Sequence, residues 1–162
     1  MSESRYRMNL ETPIGVLVLE GTHTALTNVW LPGRTAPGER MSAPGAIQRA
    51  AAQLEEYFAG ERTSFDVALA PRGTAFQLDV WRELEAIAYG EVITYAQLAR
   101  RVGRPKGFRA VGQANGRNPL PIIVPCHRVV ASNGLGGYAG GVDVKRALLE
   151  LEESTLVSTL RS

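Results

Sequence analysis

Two reactive side chains are neighbours in this chain of 162 residues: Cys126, its only cysteine, and His127, one of its two histidines. They lie in the run Ile122-Ile123-Val124-Pro125-Cys126-His127-Arg128-Val129-Val130. A free thiol is mostly protonated at neutral pH and becomes a useful nucleophile only beside a base or in a positive field. An imidazole is such a base. The β-branched residues on both sides predict a buried, strand-like approach that Pro125 interrupts. The competing reading is a core cysteine that only fills space, and for a Cys-His pair taken alone it carries more weight.

Upstream of the pair the charge is lopsided. Seven Lys or Arg residues and no Asp or Glu lie between Arg100 and Arg128, although the whole chain carries only +2. Such a block reads as a face for a polyanion, nucleic acid before others, against the alternative of a solvated surface with acidic neighbours from elsewhere. Two short helices are predicted within and just before it, Thr94–Val102 and Phe108–Gly116. The connector Gly103-Arg104-Pro105-Lys106-Gly107 cannot continue a helix. Together they make a helix-turn-helix candidate, a motif many helical corners share without binding anything. Asn118-Pro119-Leu120-Pro121 ends the second helix and leads directly into the cysteine stretch. Beyond it, Gly134–Gly141 holds five glycines, enough for backbone to approach a flat ligand closely.

The remaining elements must support these two. Arg5–Leu10, Gly15–Leu19 and Ala25–Leu31 read as strands, with a hairpin turn at Glu11-Thr12-Pro13-Ile14. Residues 32–44 read as a Pro- and Gly-rich surface loop. Pro44–Phe58 has an apolar stripe at helical spacing, and Ser64–Leu69 alternates like a further strand. Ala70-Pro71-Arg72-Gly73 marks a boundary, giving an α/β N-terminal domain over 1–72, a small sheet plus a helix. A mostly α C-terminal domain over 73–162 carries the helix-turn-helix. It opens with a helix capped by Thr74 and closes with one over Asp143–Glu153, whose Val144, Ala147, Leu148 and Leu151 face the core; no pattern follows Ser154. Apolar residues are 44% and charged residues 21% of the chain. No run approaches the roughly 20 apolar residues of a membrane span. A single cysteine excludes an intrachain disulfide and a Cys-rich zinc cluster, and fits a reduced, cytoplasmic setting.

The string Pro125-Cys126-His127-Arg128-Val129 resembles the active-site signature of the O6-alkylguanine-DNA alkyltransferases, also called methylated-DNA–protein-cysteine methyltransferases. Arg109-Ala-Val-Gly-Gln-Ala-Asn-Gly-Arg-Asn118-Pro119 and Gly136-Gly137-Tyr138-Ala139-Gly140-Gly141 look like the same family. The likeness is close from Thr74 to Glu152 and weaker before that. It implies DNA repair by direct reversal, with the alkyl group of O6-alkylguanine in duplex DNA moved irreversibly onto the protein's own cysteine. O4-alkylthymine stays open as a second substrate. Neither cofactor nor metal is implied. The partner is double-stranded DNA and no membrane, with a monomer away from DNA and cooperative assembly on DNA left open.

The resemblance also implies roles. Cys126 accepts the alkyl group, His127 acts through a water as its base, and Glu152 orients the imidazole; Glu150 and Glu153 compete for that last assignment. Asn118 braces the turn before the cysteine. Tyr95 crowds the DNA backbone at the base-entry site, and Arg109 fills the gap left by a flipped base. Val129, Tyr138 and Ala139 line the pocket, and Gly112 and Arg128 belong to the substrate and DNA-binding set. Family members often carry serine where this chain has Ala139, so backbone N–H groups must serve there. The family docks its helix-turn-helix in the minor groove. Rival readings fit less well. A cysteine hydrolase leaves the helix-turn-helix without a task, a transcriptional regulator needs a dimer interface or effector site, and alkyltransferase-like proteins lack the acceptor cysteine.

Overall fold

The computed structural model describes residues 4–34 and 44–161. Most of the expected 32–44 loop, residues 35–43, lies outside them. The chain divides into two compact units, Met1–Arg72 and Gly73–Ser162.

The first unit is a three-stranded antiparallel sheet with one helix. Strands β1 (Tyr6–Thr12), β2 (Gly15–Gly21) and β3 (Leu26–Trp30) are adjacent in chain order. Thr12 pairs with Gly15 across a two-residue turn. Leu10, Leu17, Leu19, Leu26 and Val29 are buried, and helix α1 (Gly45–Phe58) packs on the sheet with Ile47, Ala50, Leu54 and Tyr57 inward. Gly60, at φ 75°, takes the left-handed conformation that ends the helix.

Ser64–Leu69 is not a strand. It runs extended and touches the sheet only through one bridge, Leu26 to Leu69. A side chain holds it instead: Gln53 of α1 donates from Nε2 to the Asp66 carbonyl at 3.0 Å and accepts the Asp66 N–H at Oε1 at 2.8 Å. The alternating sequence reported extended backbone with alternating exposure, which needs no ladder partner.

The second unit is mostly helical: α2 (Ala75–Glu85), α3 (Tyr95–Arg101), α4 (Phe108–Gly116) and α5 (Val142–Arg161). A two-residue strand β4 (Ile93–Thr94) pairs in parallel with β5 (Val129–Val130), a ladder too short to leave a periodic signal. Thr74 and Thr94 each close a capping box, with Gln77 and Gln97 respectively. Val80, Trp81 and Leu84 of α2, Leu98 of α3 and Val111 of α4 are buried together with Ile87. The Trp81 indole N–H donates to the Ala114 carbonyl at 2.8 Å, tying α2 to α4.

Helix α5 corrects two expectations. It does not end near Ser154 but continues to Arg161. Ala147 is exposed, and the inward face is Lys145, Leu148 and Glu152. Three and four residues apart, these share one side of the helix. Among the described residues no helix is long and apolar enough to cross a membrane.

Candidate active site

The cysteine is carried on a turn. Residues 120–129 are all buried, as the apolar flanks predict, but no strand leads to Cys126. The Val124 N–H donates to the Leu120 carbonyl at 2.8 Å, and Ile122 between them has φ 76°. A β-branched residue in that region costs about 1–3 kcal/mol and persists only where its surroundings over-determine it. Asn118 supplies the determination. Its Oδ1 accepts the Leu120 N–H at 2.9 Å and its Nδ2 donates to the Val124 carbonyl at 2.7 Å. Cys126–Arg128 then forms a single 3-10 turn that runs into β5.

One residue on, the imidazole of His127 is wholly buried. Its Nε2 lies 2.6 Å from Glu152 Oε2. An ionised carboxylate only accepts, so Nε2 carries the proton and donates, and the lone pair sits on Nδ1. Nδ1 is buried with no protein partner. Of the three glutamates that the sequence offered, Glu152 is the one in contact with the imidazole; Glu150 and Glu153 are exposed.

Arg128 was expected among the DNA- and substrate-binding residues, and the structure places it elsewhere. It is 6% exposed, and its Nε and Nη2 donate to the two Glu152 oxygens at 2.8 and 3.1 Å. Nη1 donates to the Ile87 carbonyl at 2.7 Å. Its fork is therefore directed inward. The Gly90 N–H adds a further bond to Glu152 Oε1 at 3.1 Å.

These contacts set the protonation states. Burial alone would raise the Glu152 pKa, but hydrogen bonds from His127 and Arg128 outweigh it and bring the carboxyl to about 2. Arg128 is permanently charged, so it keeps Glu152 ionised whether or not His127 is protonated. Burial lowers the His127 pKa, with Glu152 pulling the other way. Burial likewise raises Cys126, opposed by Asn118, by Tyr138 and by the Lys145 charge. The resting pair is consequently a neutral thiol beside a neutral imidazole. Nucleophilicity requires the proton to leave during attack.

Lys145 is the residue that the sequence reading missed. It is fully buried and donates to the carbonyls of Val129 at 2.6 Å and Gly137 at 3.1 Å. Its ammonium lies 5.9 Å from the centre of the Tyr95 ring. A signal was available, since Lys145 and Glu152 occupy core-facing positions around Leu148 on an otherwise amphipathic helix, and buried charges are retained only with partners.

Tyr95 opens α3 and is half-buried. A Cβ on Gly112 of α4 would lie 3.7 Å from its ring, and one on Gly136 would lie 3.0 Å from it. At Gly112 that is ordinary van der Waals contact, so an alanine would fit beside the ring, and the residue is half-buried against it. Gly136 is also left-handed, at φ 76°, so both space and conformation hold it to glycine. Val129 is wholly buried, Tyr138 is half-buried with its hydroxyl toward the thiol, and Ala139 is exposed. Arg109 is exposed on α4. Of the seven basic residues between Arg100 and Arg128, all but Arg128 are exposed. Three of these have neighbours: Arg100 donates from Nε to the Ala96 carbonyl at 3.4 Å, Arg101 lies 3.7 Å from Glu91, and the Arg104 guanidinium sits 5.1 Å from the centre of the Phe76 ring. Among the described residues no group of three His, Cys, Asp or Glu is placed to hold a metal.

Comparison with known proteins follows the same outline. The family model for the 6-O-methylguanine DNA methyltransferase DNA binding domain matches residues 75–154, and that for the ribonuclease-like domain of the same enzymes matches residues 6–71. A methylated-DNA–protein-cysteine methyltransferase from Methanosarcina acetivorans is 49% identical over 154 residues, 92% of this chain and 99% of the relative. One from Mycobacterium bovis is 50% identical over 149 residues, 90% of each chain. The crystal structure of Mycobacterium tuberculosis OGT in complex with DNA superposes with a TM-score of 0.87 at 49% identity, covering 93% of this chain and 94% of the other. With both units matched and nearly half of the residues identical, the chain belongs to the 6-O-methylguanine DNA methyltransferase family.

Proposed function

We propose that this protein repairs alkylated DNA by moving the alkyl group of O6-alkylguanine onto Cys126. The observation that carries the reading is the line Cys126–His127–Glu152–Arg128, a thiol, a base with a fixed tautomer and an ion pair that fixes it. It sits immediately after a basic helix-turn-helix. The sulfur attacks the alkyl carbon, a carbon–sulfur bond forms and the carbon–O6 bond breaks. The thiol proton passes through a water to His127 Nδ1, and the departing guanine takes up a proton. Thiol plus alkylguanine thus become thioether plus guanine. Glu152 stabilises the imidazolium while it exists, and Arg128 keeps Glu152 charged and aimed.

Duplex DNA hides O6 inside the stack, so the damaged nucleotide must rotate out. Tyr95 at the start of α3 crowds the backbone there, and the exposed Arg109 fills the gap left behind. Asn118 holds the Cys126 turn in position, and Val129, Tyr138 and Ala139 border the flipped base. Contact through the minor groove suits damage that arises in any sequence context, because readout there is largely indifferent to sequence.

A thioether is not hydrolysed by water at neutral pH, so each molecule acts once. The test is incubation with a duplex carrying one O6-methylguanine, followed by peptide mass spectrometry. One methyl on the peptide containing Cys126 supports the reading; DNA left unchanged by excess protein overturns it.

A further inference from the structure

Phe108 is half exposed, at 52%, and is the only aromatic among the exposed large apolar side chains of the described residues. It is the first residue of α4, whose N-cap Gly107 offers no side chain over it. An exposed phenylalanine forgoes the stabilisation that burial would give, and here the exposed Lys106 and Arg109 flank it in the sequence.

Helix geometry fixes the direction in which it lies. The buried residues of α4 are Val111, Ala114 and Asn115. At about 100° per residue, Arg109 points away from that buried side, while Phe108 lies on one flank. Gly112, four residues on, shares the flank, and it is the residue against the Tyr95 ring. Phe108 therefore borders Arg109 on the side of Tyr95, where the functional reading above has the nucleotide leave the stack.

We propose that Phe108 is a second DNA-contacting side chain, packing its ring on the nucleotide adjacent to the rotated one and keeping the opened step apart. Apolar wedges beside a basic side chain are how minor-groove proteins hold separated base steps. A ring that stacks on one base or sugar needs no particular sequence. The proposal rests on the DNA-repair reading of the site. It adds a positioning residue that touches neither the alkyl group nor the sulfur.

The experiment compares transfer rates from an O6-methylguanine duplex and from free O6-benzylguanine in the wild type, F108A, F108W and R109A, with thermal melts to verify folding. The free base needs no opened step, so the ratio of the two rates isolates the contribution of the DNA contact. The ratio should fall about tenfold in F108A, within the range for loss of a stacked aromatic, and return toward wild type in F108W. An unchanged ratio in F108A while R109A lowers it overturns the role of Phe108 and leaves the repair reading standing. A wild type that methylates Cys126 from neither substrate overturns both.

Discussion

At the residue scale, the site is a chain of charge and hydrogen bonds, Arg128–Glu152–His127, that ends on the imidazole of the residue next to the thiol. Glu152→Gln removes the negative partner of both His127 and Arg128. Transfer should slow and the apparent pKa of Cys126 should rise, read from the pH dependence of thiol alkylation by a small electrophile. Stability should fall by about 3 kcal/mol, because a buried guanidinium loses its counter-charge. The acid limb follows from the signs. Glu152 has a native pKa of about 2 against 4.5 unfolded, so its stabilisation is complete above 4.5 and disappears as pH falls toward 2. His127 is held below 6.5 by burial, so below that pH the unfolded chain takes up a proton that the native state resists. Both effects weaken the fold as pH drops, and urea melts between pH 7 and 3 should show a monotonic loss that Glu152→Gln flattens at its lower end. Lys145→Met removes a positive charge that lowers the Cys126 pKa, and thiol alkylation should shift to higher pH. The sequence pointed to Cys126, His127 and the choice of Glu152, because motif and helix register are local. It misplaced Arg128 and missed Lys145, because whether a long cationic side chain turns inward depends on partners up to 41 residues away, as with Arg128 and Ile87.

At the element scale, the helices α2, α3 and α4 were legible because each has a Thr cap, a Gly or Pro stop, or an apolar stripe at helical spacing. The parallel pairing of β4 with β5 was not, since two residues have no period. The final turns of α5 were not legible either. They are held by contacts to a turn more than 60 residues earlier: a Cβ on Gly90 would lie 2.1 Å from Leu156, and Gly90 itself has φ 79°. Gly90→Ala should therefore destabilise the protein by about 2 kcal/mol, through strain and overlap together, measured by chemical denaturation. The helix-turn-helix has its own test. Arg109→Ala should reduce transfer from duplex DNA far more than transfer from free O6-benzylguanine, which needs no flipping. Equal reductions on both would show that Arg109 does not fill a gap in the duplex.

At the scale of the whole molecule, a net charge of +2 conceals a stretch of the second unit, residues 100–117, that holds six exposed Lys and Arg and no Asp or Glu, the stretch read as a DNA-binding face. Affinity for DNA should drop steeply between 50 and 200 mM salt, roughly as expected for several phosphate contacts; a salt-independent binding constant would remove the case for that face. The molecule also has one thiol and hence one acceptor. Cys126→Ser should abolish transfer, since a neutral imidazole is too weak a base to activate an alcohol, while DNA binding persists. The most direct test of the central claim is a titration of O6-methylguanine duplex with known amounts of protein, counting repaired guanines and locating methyl groups by mass spectrometry. The mechanism predicts one repaired guanine per protein molecule and one methyl, on Cys126. Repair in excess of protein, or a methyl on any other residue, would contradict it.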